Sequence, residues 1–284
     1  MEFRTVVDIA KPDFLIEPCE EMLFVGSCFA DSIGRRFVEE KFRATVNPFG
    51  TMYNPASVLH TVERLVSSSK LGGLKTAFVT LGTNHVYRLR ETGEIVDNCQ
   101  KRPQALFSEE KLTVDECAAY LRRMVDVLRS CQPDVNIVFT VSPIRYRKYG
   151  YHESQLSKAT LLLAIESILP PKLGGDRGLN NLPSSPLKNM GVHYFPAYEI
   201  LMDELRDYRF YADDMLHPSS QAVEYIWQQL VDHYFSDAAR QFLRDWAPLK
   251  AALGHRPFNP DSDDYRRFLA DTQAKADALL TRYL

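Results

Sequence analysis

Met22-Leu23-Phe24-Val25-Gly26-Ser27-Cys28-Phe29-Ala30, residues 22–30, decides how the rest of the chain is read. A short apolar run is followed by Gly-Ser and then by Ile33, Phe37 and Phe42, set among Arg35, Arg36, Glu39, Glu40 and Lys41. That order predicts a strand, a tight turn and an amphipathic helix. Gly26 suits a turn that a side chain would crowd. Ser27 then falls at a helix N-terminus, where unpaired N–H groups and the helix dipole favour negative charge. Two readings follow. Ser27 caps the helix, or its hydroxyl is a nucleophile whose own N–H faces a developing oxyanion. The second reading needs a base elsewhere in the chain.

Composition narrows the function classes. The chain has 284 residues, of which 45% are hydrophobic and 25% charged, as in an ordinary globular enzyme or binding protein. Net charge is -3 and no basic stripe stands out, which argues against nucleic acid as a partner. No apolar run approaches the roughly 20 residues of a membrane helix, and the acidic, proline-bearing N-terminus does not read as an export signal. Cys19, Cys28, Cys99, Cys117 and Cys131 are odd in number and scattered, with no CxxC pair. A cytoplasmic protein without membrane attachment, metal or cofactor is expected.

Strand and helix signals alternate along the chain. A second strand is expected over 42–46, and a helix opens at Asn54-Pro55 and runs to the serines at 67–69. A third strand is expected over 76–81, continuously apolar apart from Thr80, as when both sheet faces are covered. Segments 86–89 and 95–97 flank Glu91-Thr92-Gly93-Glu94 as a β-hairpin excursion. A helix over 113–131 starts at a Thr113/Glu116 capping box, and a fourth strand follows over 135–141. A helix over 152–169 is expected to turn Leu156, Thr160, Leu163 and Ile165 inward. Residues 170–190 read as a surface loop. A fifth strand spans 192–195, a helix 197–205, and a helix opening at Pro218 runs to 235. Two final helices are expected over 238–253 and 263–283. This order specifies an α/β fold with a central parallel sheet of about five strands, plus a C-terminal helical extension. The division expected is an α/β domain over 1–237 with the extension, 238–284, packed on it.

In such sheets ligands bind beyond the carboxyl ends of the strands. Gly26-Ser27, the loop ending at Gly50, Asn84, Ser142 to Arg145, and the loop holding Asp214 and His217 all fall there. Asp214-Met215-Leu216-His217 has the spacing at which a carboxylate folds back onto one imidazole nitrogen, leaving the other to take a proton. The alternative is a capping aspartate and a surface histidine. Gly50 offers a backbone N–H and Asn84 an amide toward an oxyanion; each also fits an ordinary turn. Arg145 suits a substrate carboxylate or phosphate, or a salt bridge to an acid in the 203–214 run.

Beyond the pentapeptide at 26–30, the chain carries NPFGTMYNP at 47–55, SPIR at 142–145, SKATL at 157–161, YFPAYEI at 194–200 and DELRDYRFYADDMLHP at 203–218. On these motifs it resembles the GSCFA family, which belongs with the SGNH or GDSL-like hydrolases. The resemblance implies a flavodoxin-like three-layer sandwich. It implies Ser27 as nucleophile, His217 oriented by Asp214 as base, and Ser27, Gly50 and Asn84 as oxyanion donors.

Other residues carry two readings each. Cys28 is an alternative nucleophile or a small buried group facing the sheet. His85 lines the pocket or sits exposed in a turn. Lys158 touches substrate or is a solvated lysine. Tyr208, Phe210 and Tyr211 form a sugar-stacking wall or pack the loop down. The expectation is a serine esterase acting on a small-molecule or carbohydrate O-acyl ester, with Arg145, His85 and Tyr211 against the substrate. The alternatives are an acyltransferase using the same serine, favoured by the 170–190 loop, and a catalytically silent binding protein, favoured by the absence of an acid before Ser27.

Overall fold

A computed structural model describes residues 4–97, 99, 102–170 and 191–283. The first half of the chain gives β1 (Glu21–Gly26), α1 (Cys28–Glu39), β2 (Arg43–Val46), α2 (Pro55–Ser67) and β3 (Thr76–Leu81). Then come β4 (His85–Leu89), β5 (Ile95–Val96), β6 (Phe107–Lys111), α3 (Val114–Cys131), β7 (Asn136–Val141) and α4 (Gly150–Glu166). The remainder gives β8 (Val192–Tyr194), α5 (Ala197–Glu199), α6 (Ser220–Tyr234), α7 (Asp237–Leu253) and α8 (Asp263–Tyr283).

Five strands form one parallel sheet in the order β2-β1-β3-β7-β8. Counted within that sheet alone, this is the doubly wound order 2-1-3-4-5 of a flavodoxin-like fold. The two-residue alternation of β1 builds both outer layers. Leu23 and Val25 join the core under α2, α3 and α4, with Val79, Leu121 and Leu161. Met22 and Phe24 join the opposite core under α1 and α6, with Phe37, Phe78, Trp227 and Phe235. Phe24 stacks on Phe78 with ring centroids 5.0 Å apart, and Phe37 meets Trp227 edge-on at 4.8 Å.

Gly26 closes β1 at a point where no other residue fits. Its φ is +131°, and a Cβ there would stand 2.0 Å from the Thr80 carbonyl oxygen of the neighbouring strand. The chain can therefore leave the sheet at once and start α1 with Ser27 as its N-cap.

Several expectations are corrected. The hairpin of β4 and β5 is part of a three-stranded antiparallel sheet in the order β5-β4-β6. Its longest pairing is with β6, which the sequence hides because Phe-Ser-Glu-Glu-Lys is mostly exposed and weak in strand propensity. On α4, Leu156 and Leu163 are exposed, while Ser154, Ser157 and Lys158 face inward. Ile165 is inward as expected, with Leu161 and Ala164, but the N-terminal half of the inward face is polar where it meets the carbonyl ends of strands, and apolar periodicity misplaced Leu156 and Leu163. The helix expected over 197–205 is a single α-turn that widens into a π-helical run over Ile200–Leu205. Pro218 does not open α6: it pairs with Tyr211 in an antiparallel bridge, and Ser219 is the cap. Of the loop expected over 170–190, residues 171–190 lie outside the described residues.

The last two helices meet Cys19 before β1 and the C-terminal end of α1. Phe242 and Trp246 of α7 and Ala276 and Leu279 of α8 enclose Cys19. Trp246 Nε1 donates to the Glu39 carbonyl at 3.2 Å, and Lys250 pairs with Glu40 at 2.9 Å. All five cysteines are free thiols. No helix among the described residues is long and apolar enough to cross a membrane.

Candidate active site

Ser27 is 1% exposed and sits where β1 becomes α1. Its Oγ accepts the Phe29 N–H at 3.3 Å, so the capping reading holds as geometry. The position is braced by Asn47, which follows β2. Asn47 Oδ1 accepts the Gly26 N–H at 2.9 Å, and its Nδ2 donates to Asp31 of the first α1 turn at 2.9 Å. Asn47 has a φ of 36°, in the left-handed region that asparagine tolerates best among non-glycine residues. The quoted NPFG motif contained this residue, but its spacing gave no hint that its side chain holds the Ser27 turn.

His217 and Asp214 lie in the loop between Phe210 and α6. Asp214 Oδ1 accepts the N–H groups of Leu216 at 2.8 Å and His217 at 3.0 Å, while Oδ2 lies 2.5 Å from His217 Nδ1. The two backbone N–H bonds, together with the imidazole, hold the Asp214 carboxyl down at about 2. The loop is pinned on both sides. Ala212 N–H donates to the His217 carbonyl at 2.8 Å, and Arg145 N–H donates to the Leu216 carbonyl at 3.0 Å.

Ser27 and His217, from segments 190 positions apart, line one cavity of about 300 Å³. Their side chains are not hydrogen-bonded to each other here: Ser27 Oγ is engaged by Phe29 and His217 Nδ1 by Asp214. Cys28, Ser142, Ile144, Arg145 and Lys158 share the cavity. Cys28 therefore does not face the sheet as expected. It is half-buried at the cavity wall, and burial raises its thiol above the ordinary range, which leaves little nucleophilic thiolate. Ser142 is 1% exposed and its Oγ has no hydrogen-bond partner.

Lys158 is a further correction. It is not solvated: the residue is 2% exposed, and its Nζ donates to the carbonyls of Gly82 at 2.8 Å and Ser142 at 2.9 Å. Burial pushes its pKa down to about 7. Sequence reasoning missed this because a lysine one residue after a helical serine ordinarily reaches solvent.

The three expected oxyanion donors are engaged elsewhere. The Ser27 N–H donates to the Thr80 carbonyl at 3.0 Å, because the turn at Gly26 keeps it within the sheet's hydrogen-bond pattern. The Gly50 N–H closes its own turn on the Asn47 carbonyl at 2.9 Å. The Asn84 amide donates to the Leu112 carbonyl at 2.7 Å, where it ties the start of β4 to the end of β6. Gly50 and Asn84 are not among the residues lining the cavity that holds Ser27.

Of the expected substrate contacts, Arg145 and Tyr211 are brought together and His85 is not. Arg145 lies at the carboxyl end of β7 and forms no salt bridge among the described residues. Instead its guanidinium stands 4.5 Å from the Tyr151 ring, 5.3 Å from Tyr211 and 5.7 Å from Tyr208. These residues line a second hollow of about 310 Å³ that shares Ile144 and Arg145 with the first. Tyr211 is both wall and packing, since its hydroxyl meets Met202 Sδ at 3.3 Å. Phe210 packs against the core under α1 and α6 and does not line this hollow. His85 is buried at 8% exposure under Tyr149, with rings stacked 3.9 Å apart, and lines neither hollow. Burial lowers its pKa. It begins a strand rather than a turn, which is why neither reading of it holds.

The chain is similar, at 15% identity, to a structure described as "a putative platelet activating factor from Streptococcus pneumonia", covering 78% of this chain and 85% of that one with a TM-score of 0.44. It is similar at 10% identity to a carbohydrate esterase family 3 protein from Talaromyces cellulolyticus, covering 80% and 99% with a TM-score of 0.39. It is similar at 11% identity to an acetyl esterase mutant, S10A, with acetate ion, covering 80% and 99% with a TM-score of 0.41. No curated protein matches the sequence. The profile of the GSCFA family matches residues 21–74 and 67–230, and that of the GSCFA domain protein, C-terminal domain, matches 246–284. Matched by these profiles over most of its length, the chain belongs to the GSCFA family.

Proposed function

We propose that the protein is a serine ester hydrolase in which Ser27 is the nucleophile, His217 the general base and Asp214 the group that orients it. The observation that carries this reading is the meeting of Ser27 and His217 in one cavity, with Asp214 Oδ2 2.5 Å from His217 Nδ1. Asp214 fixes the proton on Nδ1 and leaves Nε2 to accept one. Ser27 Oγ gives its proton to Nε2 and bonds to the acyl carbon, whose carbonyl electron pair moves onto oxygen. The tetrahedral species collapses, the bond to the alcohol oxygen breaks, and the imidazolium returns the proton to it. Water, deprotonated by the same imidazole, then releases the acyl group. Catalytic hydrogen bonds commonly tighten only in the complex with substrate, so the mechanism does not require Ser27 and His217 to be hydrogen-bonded beforehand.

The cavity admits a small acyl group. The adjoining hollow, with Arg145 among tyrosine faces, suits a polar alcohol portion such as a carbohydrate, and an acidic group on it most of all. Five free thiols fit a reducing compartment. The test is hydrolysis of p-nitrophenyl acetate by wild type and Ser27→Ala. Wild type is expected to release p-nitrophenol with Ser27→Ala at background; equal rates would end the proposal.

A further inference from the structure

The SKATL motif at 157–161 has no part in the mechanism so far. The structure shows two consecutive α4 side chains reaching the carboxyl ends of β3 and β7. Ser157 Oγ accepts the Asn84 N–H at 2.9 Å and lies 3.0 Å from Thr83 Oγ1. Lys158 Nζ bonds the Gly82 and Ser142 carbonyls at 2.8 and 2.9 Å. No carboxylate among the described residues pairs with this ammonium. An ammonium buried without a counter-charge is strongly disfavoured, and neutral donors would brace two strand ends at far lower cost. Two carbonyls also take only two of its three N–H donors. Lys158 lines the cavity that holds Ser27, while the Ser27 N–H, the Gly50 N–H and the Asn84 amide are all engaged elsewhere.

We propose that Lys158 is an oxyanion-binding catalytic residue, its ammonium donating a hydrogen bond to the substrate carbonyl oxygen as that oxygen takes up negative charge. This rests on the hydrolase reading above. As Ser27 Oγ bonds to the acyl carbon, the carbonyl π pair becomes a lone pair on oxygen. The missing counter-charge of Lys158 then exists only in the tetrahedral species, so the interaction is stronger there than in the ground state. No proton leaves Lys158. When the carbonyl re-forms and the alcohol departs, the ammonium is again held by the Gly82 and Ser142 carbonyls, with the Tyr198 ring 5.8 Å away.

The experiment compares kcat/KM for p-nitrophenyl acetate and its thionoacetate analogue, whose C=S sulfur accepts hydrogen bonds poorly, in wild type and Lys158→Gln. Loss of one oxyanion donor lowers turnover about 10²–10³-fold. The oxo-to-thiono ratio is therefore expected to shrink by about 10²-fold in Lys158→Gln. In wild type the ratio should fall as pH rises through about 7 and the ammonium loses its proton, whereas any change that reaches both esters alike leaves the ratio unmoved. A lysine serving as a base or only as a brace changes both rates together. A ratio that is the same in wild type and Lys158→Gln, and flat with pH in wild type, overturns the proposal. Should Lys158→Gln fail to fold, the wild-type ratio across pH decides alone. Absence of any Ser27-dependent turnover in wild type is a different failure, that of the hydrolase reading itself.

Discussion

Asp214 uses both carboxylate oxygens on His217 at once: Oδ1 accepts its backbone N–H at 3.0 Å and Oδ2 faces its Nδ1 at 2.5 Å. One side chain therefore shapes the turn and aims the imidazole. The turn also passes through Met215 at a φ of 60°, a left-handed conformation that a methionine rarely adopts.

Replacing Asp214 by Asn should separate those two roles. The amide oxygen still accepts the two backbone N–H groups, so the melting temperature should change little. The charge and the tautomer control are lost, and kcat should fall about 10²–10⁴-fold with KM little changed. Because the carboxyl is held at about 2, it is ionised in the folded protein at any pH well above that. Its stabilising bonds are fully present above the ordinary carboxylate range and are lost as pH falls toward 2. The acid limb of the wild-type rate profile should therefore not follow Asp214, and titrating kcat/KM from pH 4 to 8 checks this.

Gly26→Ala should be among the most destabilising single substitutions in the chain. It combines a φ of +131° with a Cβ 2.0 Å from the Thr80 oxygen. Strain and overpacking each contribute about 1–3 kcal/mol, so a loss of about 3 kcal/mol or more is expected by chemical denaturation. A variant of wild-type stability would mean that the turn is built differently.

Asn84→Ala and Gly50→Ala test the donors that the family resemblance implied. Asn84→Ala leaves the Leu112 carbonyl unpaired and should cost about 1–3 kcal/mol. Gly50 has open space around its Cβ position, so Gly50→Ala carries only the strain of a φ of +90°, about 1 kcal/mol. Turnover by the folded fraction should stay within about threefold of wild type, where loss of a true oxyanion donor costs at least about 10²-fold.

Arg145→Ala should act on substrate binding. Its guanidinium is fenced by Tyr151, Tyr208 and Tyr211 and pairs with no carboxylate among the described residues. The expected effect is a KM raised about tenfold or more for esters whose alcohol portion is acidic, with little change for p-nitrophenyl acetate. Steady-state kinetics on a matched neutral and acidic ester pair reads it.

Burial of Lys158 should be visible in stability as well as in rate. Its pKa falls from about 10.5 unfolded to about 7 folded, so the unfolded chain binds the extra proton between those values. The penalty is complete below pH 7 and is relieved as pH rises. Wild type should gain up to about 1.4 kcal/mol per pH unit relative to Lys158→Gln between pH 7.5 and 9. Parallel denaturation curves at these pH values test it.

Much of this was legible in the sequence for physical reasons. β3 matched its expected span because Thr76 to Leu81 is buried on both faces and continuously apolar but for one threonine. The Thr113/Glu116 box fixed the start of α3. The Asp214/His217 pair was visible because both partners lie within one turn of chain. What stayed hidden depends on meetings between distant segments. Asn47 reaching Gly26, Lys158 reaching Gly82 and Ser142, and Asn84 turning to Leu112 each pair a side chain with backbone groups of another element. Residue type and spacing carry no information about such partners. The Ser154, Ser157 and Lys158 part of the inner face of α4 shows the same limit, because periodicity of apolar residues finds only apolar positions.

The central claim is that Ser27 is an activated nucleophile, and its most direct test is covalent labelling by a fluorophosphonate followed by peptide mass spectrometry. The account predicts a single phosphonyl adduct on Ser27 in wild type, slowed about 10²-fold or more in His217→Gln. Labelling at another residue, or none at Ser27 in folded wild-type protein, would contradict it.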